Sequence, residues 1–289
     1  MSQKDSLGDR MKGHYENRTR YLLPRRTYTV LRIDGKAFHA YTKGCDRPYD
    51  SLLSEDMDFT AVALCKHIEG AQLAYVQSDE ISLLVTDFAD NQTQAWFDGN
   101  LQKLASISAS IATAHFNSFR WQRTILCRID SASMPDAEPI SINADPLLIN
   151  LLREPTAYFD SRAFTIPDPV EVENYFIWRQ QDATRNSISM TAQAHLPHER
   201  LQGKTSDEMQ ELLWQEKGIN WNDMPGGFKR GRCVVRETVV QDREYVDKRT
   251  GETQTAQGVE RYVWNPVVPP VFTRDREWLR SYIPQQREV

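Results

Sequence analysis

The chain has no run of about 18 apolar residues, so a membrane-spanning helix is not expected. The segment from Met1 to Arg20 is polar, carries both charge signs and holds no apolar core, so no signal peptide is expected either. Cysteine is scarce. Cys45, Cys65, Cys127 and Cys233 are scattered, with no CxxC and no other zinc-ligand spacing, and they read as reduced thiols of a cytoplasmic protein. An excess of positive charge is missing too: the formal net charge is −5, which argues against a generic nucleic-acid coat protein. It leaves room for a nucleic-acid enzyme, which needs acidic metal ligands and only a local basic groove. There is no internal repeat and no low-complexity segment.

What is present is ordinary globular material. Of the 289 residues, 40% are hydrophobic and 26% charged, enough to bury a core without staples in one large domain or two modest ones. Tyr28 to Ile33 is rich in β-branched and apolar residues and breaks at Asp34-Gly35, the pattern of a strand ending in a turn. Ser54 to Glu69 has helical periodicity, with Ser54 as the expected N-cap. Leu73–Gln77 and Ile81–Val85 flank Ser78-Asp79-Glu80 and predict a tight hairpin with acids at its tip.

Trp96 to Phe116 reads as one long helix, and further strands are expected near Ile125–Ile129 and Ala157–Asp160. Pro167 and Pro169 mark a break, followed by a helix over Val170–Ala194, in which Tyr175 and Trp178 are assigned to the core. Pro225-Gly226-Gly227 predicts a turn before a strand at Gly231–Arg236, Gln241 to Gln257 a hairpin with its tip at Thr250-Gly251-Glu252, and the proline-rich end an extended wrap with a short helix. The order strand, helix, hairpin, helix, strand is α+β, with the split βαβ arrangement of a ferredoxin-like antiparallel sheet.

Asp34 at a strand end and Asp79 at a hairpin tip can meet on adjacent strands of one sheet. Two carboxylates there repel unless a cation lies between them. Mg²⁺ prefers oxygen ligands and commonly uses one or two carboxylates plus substrate phosphates. Gly35 leaves room for a phosphate or metal at the backbone and offers a carbonyl. Glu80, next to Asp79, is expected on the opposite side of the sheet and is not a first-choice ligand. Read locally, these residues also fit plain turn chemistry.

The stretches Leu31-Arg32-Ile33-Asp34-Gly35-Lys36-Ala37-Phe38-His39, Arg47-Pro48-Tyr49-Asp50, Tyr75-Val76-Gln77-Ser78-Asp79-Glu80-Ile81-Ser82, Phe159-Asp160-Ser161-Arg162 and Tyr175 to Ala183 resemble, in order and spacing, the tRNA-His guanylyltransferase family. The likeness runs over roughly the first 190 residues and more weakly to about Arg236. It implies a polymerase/cyclase-type palm over residues 1–165, with a C-terminal α/β domain and extension over 166–289. It also implies nucleotide addition at the 5′ end of tRNA, running 3′ to 5′, by two Mg²⁺ ions, with GTP or another NTP as substrate and ATP for activation.

By that resemblance Asp34 and Asp79 are catalytic, and Asp34, Gly35 and Asp79 bind metal. Asp34, Gly35, Lys36, Ala37, Phe38, His39, Arg47, Ser78, Asp79 and Lys103 contact the nucleotide. A homotetramer is implied as well. For Arg162, Arg179 and Arg185, phosphate contact and core-edge salt bridges are equal readings, with Asn186 placed beside them as an RNA contact.

Three positions depart from the family pattern. Arg47 stands where Lys is usual, keeping the charge in a planar fork. The basic cluster of eukaryotic members thins to Asp98-Gly99-Asn100, with Lys103 remaining. Thr184-Arg185-Asn186-Ser187 replaces a His-x-Asn-Asn motif, as in the bacterial and archaeal "Thg1-like" branch of template-dependent 5′-repair enzymes. A palm-type nucleotide cyclase and a non-catalytic RNA-binding module are the competing readings. Such a module usually exposes stacking aromatics on the sheet face, where these strands present acids near their ends. His67 is expected on the surface. The run Lys229-Arg230-Gly231-Arg232 reads either as an RNA-backbone contact or as a solvated turn.

Overall fold

The structure, a computed structural model, describes residues 6–132, 156–246 and 248–286, with the backbone alone for 124–132. Six strands form one sheet: β1 (Tyr28–Gly35), β2 (Ala71–Gln77), β3 (Glu80–Val85), β4 (Phe159–Ile166), β5 (Arg232–Val246) and β6 (Thr253–Val267). Their spatial order is β4-β1-β3-β2-β5-β6, and every pairing is antiparallel. The helices are α1 (Ser6–His14), α2 (Phe38–Tyr41), α3 (Ser51–His67), α4 (Leu101–Ala132), α5 (Pro169–His195), α6 (His198–Leu201), α7 (Ser206–Lys217), α8 (Gly226–Arg230) and α9 (Arg276–Arg280). The run β1-α3-β2-β3-α4-β4 has the βαββαβ order expected, and β5 and β6 extend the same sheet along β2.

Alternation along the strands divides the core in two. Leu31, Ile33, Val76, Ile81 and Leu83 pack with Met57 and Leu64 of α3 and Phe116 of α4. Val30, Leu73, Tyr75 and Leu84 pack on the other face with Val172, Tyr175 and Phe176 of α5, and with Phe272 and Leu279 near the C-terminus. Gln180 fastens that last segment: its amide donates to the Pro270 carbonyl and accepts from the Phe272 amide.

Several sequence expectations shift. Asp50, not Ser54, caps α3, accepting from the Leu53 amide at 2.8 Å. Ser54 lies one turn inside and turns its hydroxyl back to the Asp50 carbonyl. The long helix starts at Leu101, after a short 3₁₀ segment (Trp96–Gly99) in which Phe97 (φ 50) and Asp98 (φ 54) are left-handed. It runs to Ala132, so the strand expected near Ile125–Ile129 is helix; a five-residue apolar run does not separate the two states. The strand expected at Ala157–Asp160 is β4, displaced to Phe159–Ile166. After Pro225 the expected turn is the short helix α8. The hairpin about Thr250-Gly251-Glu252 forms as expected, on two strands far longer than Gln241–Gln257.

The C-terminal strands are tied to the rest by a buried ion pair. Arg232 of β5 meets both Asp58 oxygens of α3 at 2.7 Å. Lys229 is buried as well and donates to the Asn222 carbonyl, so the Lys229–Arg232 run is not the solvated turn entertained from sequence; Arg230 within it is half-buried. Removing one partner of such a pair leaves an uncompensated buried charge. Arg232→Met is therefore expected to destabilise the fold by about 3 kcal/mol in urea unfolding, with Asp58→Leu/Arg232→Met recovering much of it. Equal midpoints for the single and double variants would show that the pair is not the tie.

Candidate active site

Asp34 and Asp79 are brought together by strand register. Asp34 pairs with Glu80 across β1 and β3, and the Gly35 amide donates to the Asp79 carbonyl at 3.1 Å. Asp34 and Asp79 are both half-buried. They open on a cavity of about 450 Å³, within the range of about 300–1,000 Å³ usual for ligand pockets. Its other walls are the N-terminal end of α3 with Pro48 to Asp50 before it, the middle of α5, and α8.

The acids of this molecule fall into two kinds. Asp56 is held by Arg120 and Arg123, Asp58 by Arg232, Glu80 by Arg179, Asp87 by Arg25, and Glu173 by Arg276 and Arg280. Asp34 and Asp79 make no ion pair among the described residues. Burial raises the Asp79 carboxyl above its ordinary range, and the charge of Asp34 raises it further against local hydrogen bonds. A hard divalent cation answers that arrangement. Two carboxylates facing one cavity without an organic counter-ion are a donor set that fits Mg²⁺.

Glu80 is a correction. In register with Asp34 it shares that residue's face and lines the same cavity rather than pointing away across the sheet. Arg179 grips it bidentately at 2.7 and 2.8 Å, which leaves it a partner of α5. Arg179 is itself buried and also meets Asp182 at 3.1 Å, so its guanidinium is engaged within the fold. Burial pushes the Tyr175 phenol up to about 12, so it stays neutral beside Ser82, 2.8 Å away.

The remaining expected contacts are spread more widely. Ser78 is exposed at the hairpin turn with φ 47, and Ala37 precedes α2 with φ 54. Both are left-handed without being glycine, a strain that gathers at functional sites. Phe38 is buried against Tyr41, Phe116 and Phe159. A Cβ on Gly35 would stand 2.3 Å from the Phe38 ring, so on that side the missing side chain makes room for the ring. Lys36, His39 and Arg47 are exposed outside the cavity lining.

Lys103 sits over the Phe97 ring at the start of α4, next to Leu104, which packs toward Thr29 and away from the Asp34 end of β1. Arg162 is on β4, 4.0 Å from Asp160, and Arg185 pairs with Asp182. Asn186 lines the cavity. Trp178, assigned to the core, is 45% exposed with the Arg179 guanidinium 4.4 Å from its ring centre.

Cavity residues that the sequence reading did not pick out are Gln77, the Tyr49–Phe228 ring pair (5.2 Å) and Asp182. Tyr49 was legible only as part of its motif. Phe228 lies on a segment that sequence spacing does not connect to the first half of the chain.

The family model described as tRNAHis guanylyltransferase matches residues 8–167, and the one described as Thg1 C terminal domain matches residues 170–267. A bacterial tRNA(His) guanylyltransferase (Thg1)-like protein in complex with ATP is 41% identical, with a TM-score of 0.75 over 96% of this chain and 99% of that one. Such a protein in complex with GTP gives 40% and 0.69 over the same shares. The tRNA(His) guanylyltransferase of Schizosaccharomyces pombe is 29% identical over 270 residues, 89% of this chain and 92% of its own.

The raised Asp79 carboxyl has a signed consequence. A carboxyl raised in the folded state favours the protonated native form, so stability is lost as pH rises through its titration. Asp79→Asn is expected to raise the urea midpoint at pH 7, with the advantage shrinking at lower pH. Asp34→Asn is expected to move the Asp79 titration to lower pH, followed by carboxyl ¹³C NMR without metal. An unmoved titration would mean that the two groups do not feel each other.

Proposed function

The chain belongs to the tRNA(His) guanylyltransferase family, and we propose that it extends the 5′ end of tRNA from the site formed by Asp34 and Asp79. It is a nucleotidyltransferase. The incoming nucleotide's 3′-hydroxyl attacks the α-phosphorus of an activated 5′ end. One phosphodiester forms, and pyrophosphate leaves a triphosphate end or AMP leaves an adenylylated one.

The sheet, a polymerase/cyclase-type palm in this reading, supplies rigid positions for the reacting groups. Asp34 and Asp79 would hold two Mg²⁺ ions, with the Gly35 carbonyl as a further donor. When bound, the ions polarise the phosphoryl oxygens and favour the attacking hydroxylate. The chain's own contribution is positioning, which suits a loose phosphoryl transition state. The Ser78-Asp79 turn and the segment from Asp34 to His39 frame the triphosphate. The cavity along α5 takes the rest of the nucleotide, with Asn186 on its wall. GTP or another NTP is the substrate, and ATP activates a monophosphate end.

Thr184-Arg185-Asn186-Ser187 favours template-dependent 5′ repair over dedicated tRNA-His modification. Arg162 and Arg185, exposed on β4 and α5, are the RNA contacts in this reading, with Arg179 placed to shape the site from beneath. A homotetramer in the cytoplasm completes the proposal. Among the described residues, no helix is long and apolar enough to cross a membrane.

The observation that carries this reading is the pair of carboxylates, with no basic side-chain partner among the described residues, at the mouth of a nucleotide-sized cavity. A labelled tRNA lacking its first nucleotide, incubated with Mg²⁺ and each NTP, is expected to gain the template-matching nucleotide. Asp34→Ala and Asp79→Ala should each lose at least about a hundredfold in rate, as removal of a group that stabilises transition-state charge does. A cyclic product from NTP alone, with no addition to RNA, would reassign the protein as a cyclase.

A further inference from the structure

A second cleft, of about 540 Å³, lies between the C-terminal end of α3 and the root of the β5–β6 ribbon, on the face of the sheet away from α5. Lys66, Arg236, Tyr262 and Trp264 wall it, and among the described residues no aspartate or glutamate lines it. Arg236 is in register with Trp264, and Tyr262, two residues from Trp264, shares its face. The Arg236 guanidinium lies 4.1 Å from the centre of the Tyr262 ring, and Tyr262 is 67% exposed. Neither Lys66 nor Arg236 makes an ion pair among the described residues, whereas Arg120, Arg123, Arg179 and Arg232 each hold a carboxylate. In a chain of net charge −5, this is a local field of the opposite sign.

We infer that this cleft is an RNA-binding site, with Lys66 and Arg236 on backbone phosphates and Tyr262 stacked against an unpaired base. The inference rests on the tRNA substrate proposed above. Cations and an exposed ring side by side are the chemistry that follows a polynucleotide without reading its sequence. The cleft stands apart from the catalytic cavity. β5 begins beside that cavity, where Arg232 is in register with Val76, and reaches the cleft at Arg236. Four residues at the strand rise put the two about 13 Å apart along β5. A polynucleotide of a few residues is long enough to engage both.

The test is binding of a fluorescent tRNA transcript to the full chain at several salt concentrations. Wild type, Lys66→Ala/Arg236→Ala, Tyr262→Ala, Tyr262→Phe and Asp79→Asn are compared, with ATP affinity and light-scattering mass measured on each. The double variant is expected to bind RNA about tenfold or more weakly at physiological salt, with the log–log salt slope reduced by about 1–2, as loss of two phosphate contacts requires. Tyr262→Phe should bind as wild type and Tyr262→Ala more weakly, with ATP affinity and mass unchanged in all the cleft variants.

Wild-type RNA affinity and slope in the double variant would overturn the inference. So would a fall in mass, which would make the cleft a contact between copies, or a parallel loss of ATP affinity, which would make it a free-nucleotide site. Asp79→Asn separates the two readings. It should bind RNA as wild type and add no nucleotide, and if it still adds nucleotides the catalytic assignment fails while the cleft result stands.

Discussion

The pairing of β1 with β3 is the constraint on which the site depends. Val30 faces Leu84 in one core, and Leu31 faces Leu83 in the other. A slip of one residue would send each set to the wrong side, so two cores hold one register. Asp34 then stands level with Glu80, and the Asp79 carbonyl takes the Gly35 amide. Neither acidic motif is a site by itself. They become one because apolar residues several positions back fix how far each strand advances.

That register places like charges together, and the rest of the molecule offsets the cost. Glu80 is neutralised by Arg179 from α5, Asp58 by Arg232 from β5, and Asp56 by Arg120 and Arg123 from α4. Each pair ties a helix or strand to another around the cavity, and each removes one acid from competition for a cation. Among the described residues, Asp34 and Asp79 are left without an ion pair at the end of the sheet that opens on the cavity. Electrostatic strain is thereby gathered at the position where, in the proposed reaction, a metal and a polyphosphate would relieve it, on elements too well packed to yield.

The sheet and its acids were legible in the sequence because their signals are local. The hairpin about Ser78 and Asp79, the strand before Asp34 and the helix after Pro169 are written in alternation, period and punctuation. What was not legible depended on contacts distant in sequence. Ile125–Ile129 reads equally as strand or helix until the preceding turns of α4 extend through it. Trp178 has the spacing of a core residue, but the core on that face is already filled by Tyr175 and Phe176. Glu80 was placed by alternation from Asp79, a rule that fails in a two-residue turn with Ser78 left-handed. That Gly35 also makes room for Phe38, on the side of its missing Cβ, depends on a ring three residues on turning back over it. Phe228 reaches Tyr49 only because β5 follows α8 and pairs with β2.

β5 shows why the C-terminal half is more than an appendage. Along one face it presents a buried arginine on Asp58, then Val234 in the core, then the exposed Arg236. The same alternation that anchors the strand therefore also sets the spacing between the cavity beside its start and the cleft farther along. A loop would leave that spacing free. A strand hydrogen-bonded to β2 on one side and β6 on the other fixes it to within the stiffness of the sheet. A substrate that touches both places is then positioned by length, and a nucleotide that touches one is not. On that face of β5 the arginine nearest the cavity is matched within the fold by Asp58 and the one at the cleft is exposed without an ion pair among the described residues.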